Sequence, residues 1–327
     1  MSSNPLVSFV IPTYNAASYI EQAVRSCLDQ TYAPVEVVIV DDGSHDNTLD
    51  ILETNFGADS RVRWMSQENS GPSAARNRGI AEATGEFIHF LDADEYILPQ
   101  KVEQSLDLFH EHPDAGVVYG HGIPVEADGL TVIPMNYPPL PSGDVFCEWL
   151  IGTMSGGTYG VVSSFMVRRA ALDRVGGFNE SMRWAEDWEL WLRLAVHYHF
   201  IALSEKLVYY RRTTEGAHRN RLNMASGRLK TYQLVRDLEK RKQCLDDAAY
   251  DRLLASRWQV VAIRYWERGQ GQAARKAFRQ AIQLNPDKAA LRRLFTWFTY
   301  FLPHTSVDLI GTISRRTKRI LLSSKRS

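Results

Sequence analysis

Between Val35 and Val40, five of six residues are β-branched and apolar, with Glu36 the exception. A strand with one wet face alternates apolar and polar residues, whereas a near-continuous apolar run marks a strand covered on both faces, as in a parallel sheet between helices. The flanking chain fits that demand. Val7 to Ile11 is a second short β-branched run ended by Pro12, and within Tyr19 to Gln30 the residues Ile20, Ala23, Val24, Cys27 and Leu28 recur at helical spacing. Asp46 to Asn55 is predicted helical, Val62 to Met65 a short strand, Ser73 to Ala83 a helix after the turn Asn69-Ser70-Gly71-Pro72, and Phe87 to Leu91 a fourth strand. Alternating strands and helices predict right-handed βαβ units in a Rossmann-like α/β sheet, mostly parallel with flanking helices. Ligands bind such sheets beyond the carboxyl ends of the strands.

Polar residues gather at those ends. Thr13, Tyr14 and Asn15 follow the first strand, Asp41 and Asp42 the second, and Asp92 and Asp94 the fourth, so the three clusters are expected on one edge. Neither Gly-x-Gly-x-x-Gly after the first strand nor Gly-x-x-x-x-Gly-Lys occurs, which argues against phosphate cradles of the dinucleotide or ATPase kind. Asp92-x-Asp94 sets two carboxylates on one side of an extended chain, a donor pair for a hard divalent cation that also binds a diphosphate. Each signal alone has a plainer reading: Asp-Asp-Gly-Ser also suits an ordinary turn or helix cap.

Four blocks in order carry more. They are Val7-Ser8-Phe9-Val10-Ile11-Pro12-Thr13-Tyr14-Asn15; Val38 to Ser44 with Asp46 and Thr48; Asn69-Ser70-Gly71 through Ala75-Arg76-Asn77 to Gly79; and Phe90-Leu91-Asp92-Ala93-Asp94. Together they resemble the nucleotide-sugar-binding half of the family 2 glycosyltransferases, of GT-A fold, and the resemblance runs over about residues 5 to 212 through Gly176-Gly177-Phe178 and Trp184-Ala185-Glu186-Asp187-Trp188. It implies an inverting, metal-dependent transfer of a sugar from a nucleoside diphosphate, a UDP-sugar being expected. The hydroxyl acceptor would belong to a polysaccharide, a lipid-linked oligosaccharide or a cell-surface glycan. A non-catalytic membrane-associated scaffold derived from such an enzyme is the alternative.

The resemblance also implies roles. Pro12, Tyr14 and Asp41 line the nucleoside pocket, Asp41 accepting a hydrogen bond from the base, with Asp42 the neighbouring candidate. Arg76 faces the diphosphate or the loop after the fourth strand, unless it is an exposed helix position. Asp92 touches the ribose or the metal, and Asp94 coordinates Mn2+ or Mg2+. In the block from Trp184, the residues Trp184, Trp188, Trp191 and Leu192 fall on one helical face with Asp187 at the helix start. Acidic residues there also simply favour the positive end of a helix, but the resemblance makes Asp187 the catalytic base. The family often carries a histidine shortly after a Tyr-Arg pair. Here Tyr210-Arg211-Arg212 is followed by Thr213-Thr214-Glu215, so either His218 serves as a metal ligand or Arg211 and Arg212 hold the diphosphate alone. Ala115 to Tyr119 and Val161 to Val167 are predicted strands, and the four-proline segment Asp128 to Asp144 is expected to cover the acceptor.

Composition adds a division of the chain. Formal net charge is zero, yet residues 1–215 carry 14 basic against 30 acidic residues and residues 216–327 carry 24 against 8. From Leu222 the pattern is helical throughout, with two apolar stripes either side of Gly269-Gln270-Gly271 that resemble one tetratricopeptide-like hairpin. The expected organisation is a GT-A domain over 1–215, an all-helical extension over 216–290 and a basic amphipathic tail over 291–327. The tail holds eight basic residues against Asp308 alone. That suits an anionic membrane surface; nucleic acid is not expected as a partner, because no recognised binding motif accompanies the charge. Cys27, Cys147 and Cys244 are odd in number and far apart, so neither a disulfide framework nor a zinc cluster is expected. A reducing, cytoplasmic setting follows. The N-terminus lacks a secretory pattern and no segment reaches the roughly 20 apolar residues of a membrane span. The expected location is therefore peripheral, at the inner face of the cell membrane.

Overall fold

All seven residues of the strand that contains the Val35–Val40 run are buried, and the strand lies inside an eight-stranded sheet. The computed structural model describes residues 4–152, 160–212 and 220–286. In chain order the first unit begins β1 (Val7–Thr13), α1 (Ile20–Leu28), β2 (Val35–Asp41), α2 (Thr48–Phe56), β3 (Val62–Ser66), α3 (Pro72–Glu82) and β4 (Phe87–Phe90). It continues with β5 (Tyr96–Ile97), α4 (Lys101–Glu111), β6 (Ala115–Val125), α5 (Phe146–Gly152), β7 (Met166–Arg168), α6 (Arg169–Val175), α7 (Glu186–Ala195) and β8 (His199–Arg211). The strand order is β3-β2-β1-β4-β7-β6-β8-β5. Strands β3, β2, β1 and β4 are mutually parallel, β7 runs antiparallel between β4 and β6, and β8 is parallel to β6. The carboxyl ends of β1, β2, β4, β6 and β8 therefore share one edge.

Glu36, the exception in the apolar run, is accommodated by partners. It accepts from Ser8 Oγ at 2.5 Å and from the Thr84 amide at 2.6 Å, and it pairs with Arg63 at 2.8 Å. Burial alone would raise its carboxyl, but these hydrogen bonds and the guanidinium hold it below its ordinary value.

Three local expectations change. Within Val161–Val167 only Met166 and Val167 join a strand, because Val162–Ser164 form a 3-10 turn after Gly160, whose φ is +125°. That turn aims Ser163 at the loop after β4, where its Oγ accepts from the Asp92 amide at 2.9 Å. Helix α7 starts at Glu186, one residue after Ala185 in the left-handed region (φ 58°), so Trp184 precedes the helix and does not share its face. Finally, Cys147 and Cys244 form a disulfide with Cα atoms 5.3 Å apart, leaving Cys27 as a buried thiol. The partners lie 97 residues apart, so nothing local announces the pairing. The argument for a reducing setting falls with it, since disulfides persist in oxidising surroundings.

The crosslink ties α5 to α9 (Arg236–Lys242), beside an ion pair of Lys242 with Asp144 at 2.7 Å. The double replacement Cys147→Ser, Cys244→Ser is expected to lower unfolding free energy by about 2–4 kcal/mol. Denaturant titration with and without a dithiol checks this: added reductant should then move the midpoint of the wild type but not of the variant.

A second prediction concerns Lys101, buried at the start of α4 and donating to Ser105 Oγ at 3.0 Å. Burial pushes its ammonium down to about 7, and the neighbouring His89 is also buried and held neutral. Between that value and the ordinary lysine range the unfolded chain binds more protons, so stability rises with pH across this window; below it the burial penalty is fully present. Lys101→Met should stabilise the fold at pH 7, on the order of 4 kcal/mol at most, and the gain should vanish near pH 10. Chemical denaturation at both pH values checks it; an equal effect at the two would refute it.

The chain divides into two compact units, one of Met1–Arg219 with Val235–Cys244 and the other of Asn220–Leu234 with the chain from Leu245. The second contains α8 (Arg221–Leu234), α10 (Asp247–Glu267) and α11 (Gly271–Leu284). Asp246 caps α10 by accepting from the Ala249 amide at 2.5 Å, and Gly269, at φ 72°, turns the chain into α11. Leu253, Ala255, Val261 and Ala262 are buried on one helix, and Ala274, Ala277, Phe278 and Ala281 on the other. No helix among the described residues is long and apolar enough to cross a membrane. The tail 291–327 lies outside the described residues.

Candidate active site

The register pairs Thr13 with Asp41, so the ends of β1 and β2 present both side chains together. Loops beyond them are joined: the Asn15 amide donates to Ser44 Oγ at 2.8 Å, Asn15 Oδ1 accepts from the His45 amide at 2.8 Å, and the Ala16 amide donates to Thr48 Oγ1 at 2.9 Å. Asp41 is buried; its Oδ2 accepts from the Ser44 amide at 3.2 Å, while its Oδ1 and Thr13 Oγ1 are buried without a hydrogen-bond partner. Unmet buried acceptors are uncommon in a fold and call for a donor from water, an ion or a ligand. Asp42 is different. Its oxygens accept from Gln67 Nε2 at 2.9 Å and from the amides of Ser70 and Gly71 at 2.8 and 2.7 Å. It shapes the loop into α3, which leaves Asp41 as the member of the pair available to a base. Pro12 is half-buried and Tyr14 is 49% exposed on the same edge.

Arg76 is not an exposed helix residue. It is buried, with Nη2 on Asp92 Oδ1 at 2.7 Å, Nη1 on Glu186 Oε1 at 3.0 Å and the Phe178 ring 5.2 Å away. Both carboxylates hold its guanidinium protonated more firmly than usual, outweighing burial. It faces the loop after β4, one of the two places expected.

In that loop Asp92 has Arg76 as its counter-charge. For Asp94, burial and then the charge of Asp92 raise the carboxyl to about 6. Arg211 offsets this only in part, and two neighbouring carboxylates of this kind are hard oxygen donors of the type a divalent ion takes. Among the described residues no group of three His, Cys, Asp or Glu side chains closes around one point. His218 lies outside the described residues.

Arg211 is turned inward, toward the Asp94 loop. It is buried, its Nη1 donates to the Asp94 carbonyl at 2.6 Å, its Nη2 binds Gln22 Oε1, and the Tyr19 ring lies 5.1 Å away. It buttresses the Asp94 loop from behind. Arg212 is exposed, with its amide on the Val125 carbonyl at 2.8 Å, so the cationic side chain left facing outward is Arg212. The Asp128–Asp144 segment is pinned to β5 and β6: Tyr96 Oη of β5 donates to the Gly129 carbonyl, Tyr137 Oη to that of Gly122 in β6, and Tyr119 Oη of β6 to that of Pro141, at 2.7, 2.5 and 2.6 Å.

Asp187 stands half-buried in the first turn of α7, its Oδ1 accepting from the Trp188 amide at 2.7 Å. An aromatic block supports the helix: Trp188 stacks on Trp149 with centroids 5.3 Å apart, and Trp191 on Phe165 at 4.1 Å. Arg193 clamps the preceding turn, pairing with Glu189 at 2.8 Å and donating to the carbonyls of Val175 and Gly177 at 2.7 and 2.6 Å. Sequence reasoning missed the contacts of Glu186 with Arg76 and of Ser163 with the Asp92 amide. Glu186 is visible in sequence as a helix-start acid within the Trp184–Trp188 block, with nothing to announce its partner, and Ser163 sits in a segment that reads as a strand.

Comparisons with known proteins agree with this geometry. Residues 8–175 match glycosyl transferase family 2. The chain is 33% identical over 248 residues to the chondroitin synthase of Pasteurella multocida (strain Pm70), covering 76% of this chain but 24% of that protein, so it spans about a quarter of that relative's length. The S. aureus TarS 1–349 structure in complex with UDP has a TM-score of 0.64 at 21% identity, covering 90% of this chain and 86% of that one. The mannosyltransferase PcManGT from Pyrobaculum calidifontis, in complex with GDP-Man and Mn2+, has a TM-score of 0.55 at 18% identity, covering 91% and 85%. These two likenesses establish the GT-A fold. With its matched segment spanning half its length and the strand-end carboxylates in place, the chain belongs to glycosyl transferase family 2.

Proposed function

We propose that the chain is an inverting glycosyltransferase that moves a sugar from UDP to a hydroxyl of a growing polysaccharide, lipid-linked oligosaccharide or cell-surface glycan. The observation that carries this reading is the buried, donor-less Asp41 Oδ1 beside Thr13, on the edge that also holds Asp94. A carboxylate there accepts from a base N–H, such as N3–H of uracil, and Tyr14 is open to stack on the base, contributing about 1–3 kcal/mol. Asp187 takes the proton of the acceptor hydroxyl while its oxygen attacks the anomeric carbon from the face opposite the diphosphate. One displacement occurs and configuration inverts. Asp94 with Asp92 would hold a divalent ion, Mn2+ or Mg2+, which would supply positive charge against the departing diphosphate. Arg212 is the protein cation assigned to the same phosphates. The mannosyltransferase with Mn2+ and TarS with UDP support the choice of metal and nucleotide.

The test is ligand-induced stabilisation of the full chain. UDP at 100 times its Kd should stabilise by about 2.7 kcal/mol when Mn2+ is present, and less with a chelator. Asp41→Ala should remove the UDP effect. No UDP-dependent shift in the wild type would refute the reading. The basic tail is proposed to hold the enzyme on an anionic membrane surface. Deleting residues 291–327 should abolish flotation with phosphatidylserine vesicles and leave UDP binding unchanged.

A further inference from the structure

Helix α3 touches each part of the site. Its entry is fixed by Asp42, at the end of β2, through the amides of Ser70 and Gly71. Ser73, Arg76 and Asn77 then lie at i, i+3 and i+4, one face of the helix. All three reach the segment that leads into α7: Ser73 Oγ donates to the Met182 carbonyl at 3.2 Å, Arg76 pairs with Glu186, and Asn77 binds both the amide and the carbonyl of Phe178 at 2.7 and 2.9 Å. A Cβ at Gly177 would run into the Asn77 amide, so this contact requires the glycine. The other half of the Arg76 guanidinium holds Asp92. One buried cation thus joins the donor loop to the residue preceding Asp187, across 16 and 110 residues of chain.

We propose that Glu186 is a positioning residue: through Arg76 it sets the first turn of α7, and with it Asp187, against the Asp92–Asp94 loop. The inference rests on Asp187 being the base. Glu186 is well suited to act in this way because α7 is anchored independently of it. Arg193 holds the preceding turn, Trp191 packs on Phe165, and Asn77 holds Phe178. Removing the Glu186 carboxylate therefore releases the register between the two halves of the site without unfolding the helix. A displacement of about 1 Å between a base and its target costs up to about 100-fold in rate.

The experiment uses the full chain and UDP release from a panel of UDP-glucose, UDP-galactose, UDP-N-acetylglucosamine, UDP-N-acetylgalactosamine and UDP-glucuronate. On the donor that the wild type turns over fastest, Glu186→Ala is expected to lower kcat about 10- to 100-fold with the Kd for UDP unchanged. Glu186→Gln, which keeps an oxygen for Arg76, should restore most of the rate; failure of this rescue would overturn a positioning role in favour of direct contact with substrate. A readout that needs no turnover accompanies it. UDP with Mn2+ should slow amide exchange over residues 186–190 in the wild type and not in Glu186→Ala, and equal protection in both would also overturn the proposal. Asp187→Asn separates the two readings: retained turnover there refutes the base assignment, whereas a rate loss in Asp187→Asn with wild-type turnover in Glu186→Ala refutes the positioning role alone.

Discussion

Asp187→Asn is expected to lower transfer about 10²- to 10⁴-fold, the usual contribution of a positioned general base, while UDP binding stays as in the wild type. Asparagine has nearly the same shape and retains an oxygen for the Trp188 amide, which the aspartate holds at 2.7 Å. The stack of Trp188 on Trp149 is likewise untouched. What the amide lacks is a lone pair basic enough to take the proton of an attacking hydroxyl. The positive end of α7 favours a carboxylate at this point, so part of the loss reflects a helix start built for negative charge. Initial rates of UDP release with acceptor present, alongside UDP titration by calorimetry, check the outcome. A variant that keeps more than half of its transfer rate would exclude Asp187 as the base. One that loses UDP binding would place it on the donor instead.

Arg76→Met is expected to damage stability as well as activity. The guanidinium is buried between two carboxylates at 2.7 and 3.0 Å, and the Phe178 ring packs against it. Methionine fills much of the volume and removes the charge that joins Asp92 to Glu186. Stripping one partner from a buried ionic group costs about 3–5 kcal/mol, because the remaining charges stay desolvated. For a unit of this size that corresponds to a fall of about 10 °C in Tm. The loss should shrink in Arg76→Met, Glu186→Gln, where one of the stranded charges is gone. Thermal melts of the three proteins decide it. A Tm within about 2 °C of the wild type for the single variant would mean that water, not Arg76, solvates these carboxylates, since a 1 kcal/mol change already shifts Tm by about that much.

Much of the carboxylate-bearing edge is legible in the sequence. The β-branched run at Val35–Val40 implied a covered parallel strand, and chain direction then placed Asp41, Asp92 and Asp94 at strand ends that the register brings to one edge. Less legible was which carboxylate of a neighbouring pair does what. Asp41 and Asp42 look alike in sequence, and only the amides of Ser70 and Gly71, arriving from a loop 28 and 29 residues away, commit Asp42 to scaffolding. Arg211 and Arg212 pose the same problem. Alternation along β8 turns the first inward onto the Asp94 carbonyl, 117 residues earlier, and the second out.

The sequence by itself determined the α/β alternation, the edge on which the strand-end carboxylates lie and the helical character of residues 221–284. These depend on hydrophobic period and strand direction, which are local properties. The tertiary structure alone decided the Asp92–Arg76–Glu186 bridge, the burial of Arg211 and the Cys147–Cys244 bond. Each joins groups far apart in the chain, and which distant group meets a given side chain is set by how whole elements pack, a quantity that no local pattern encodes.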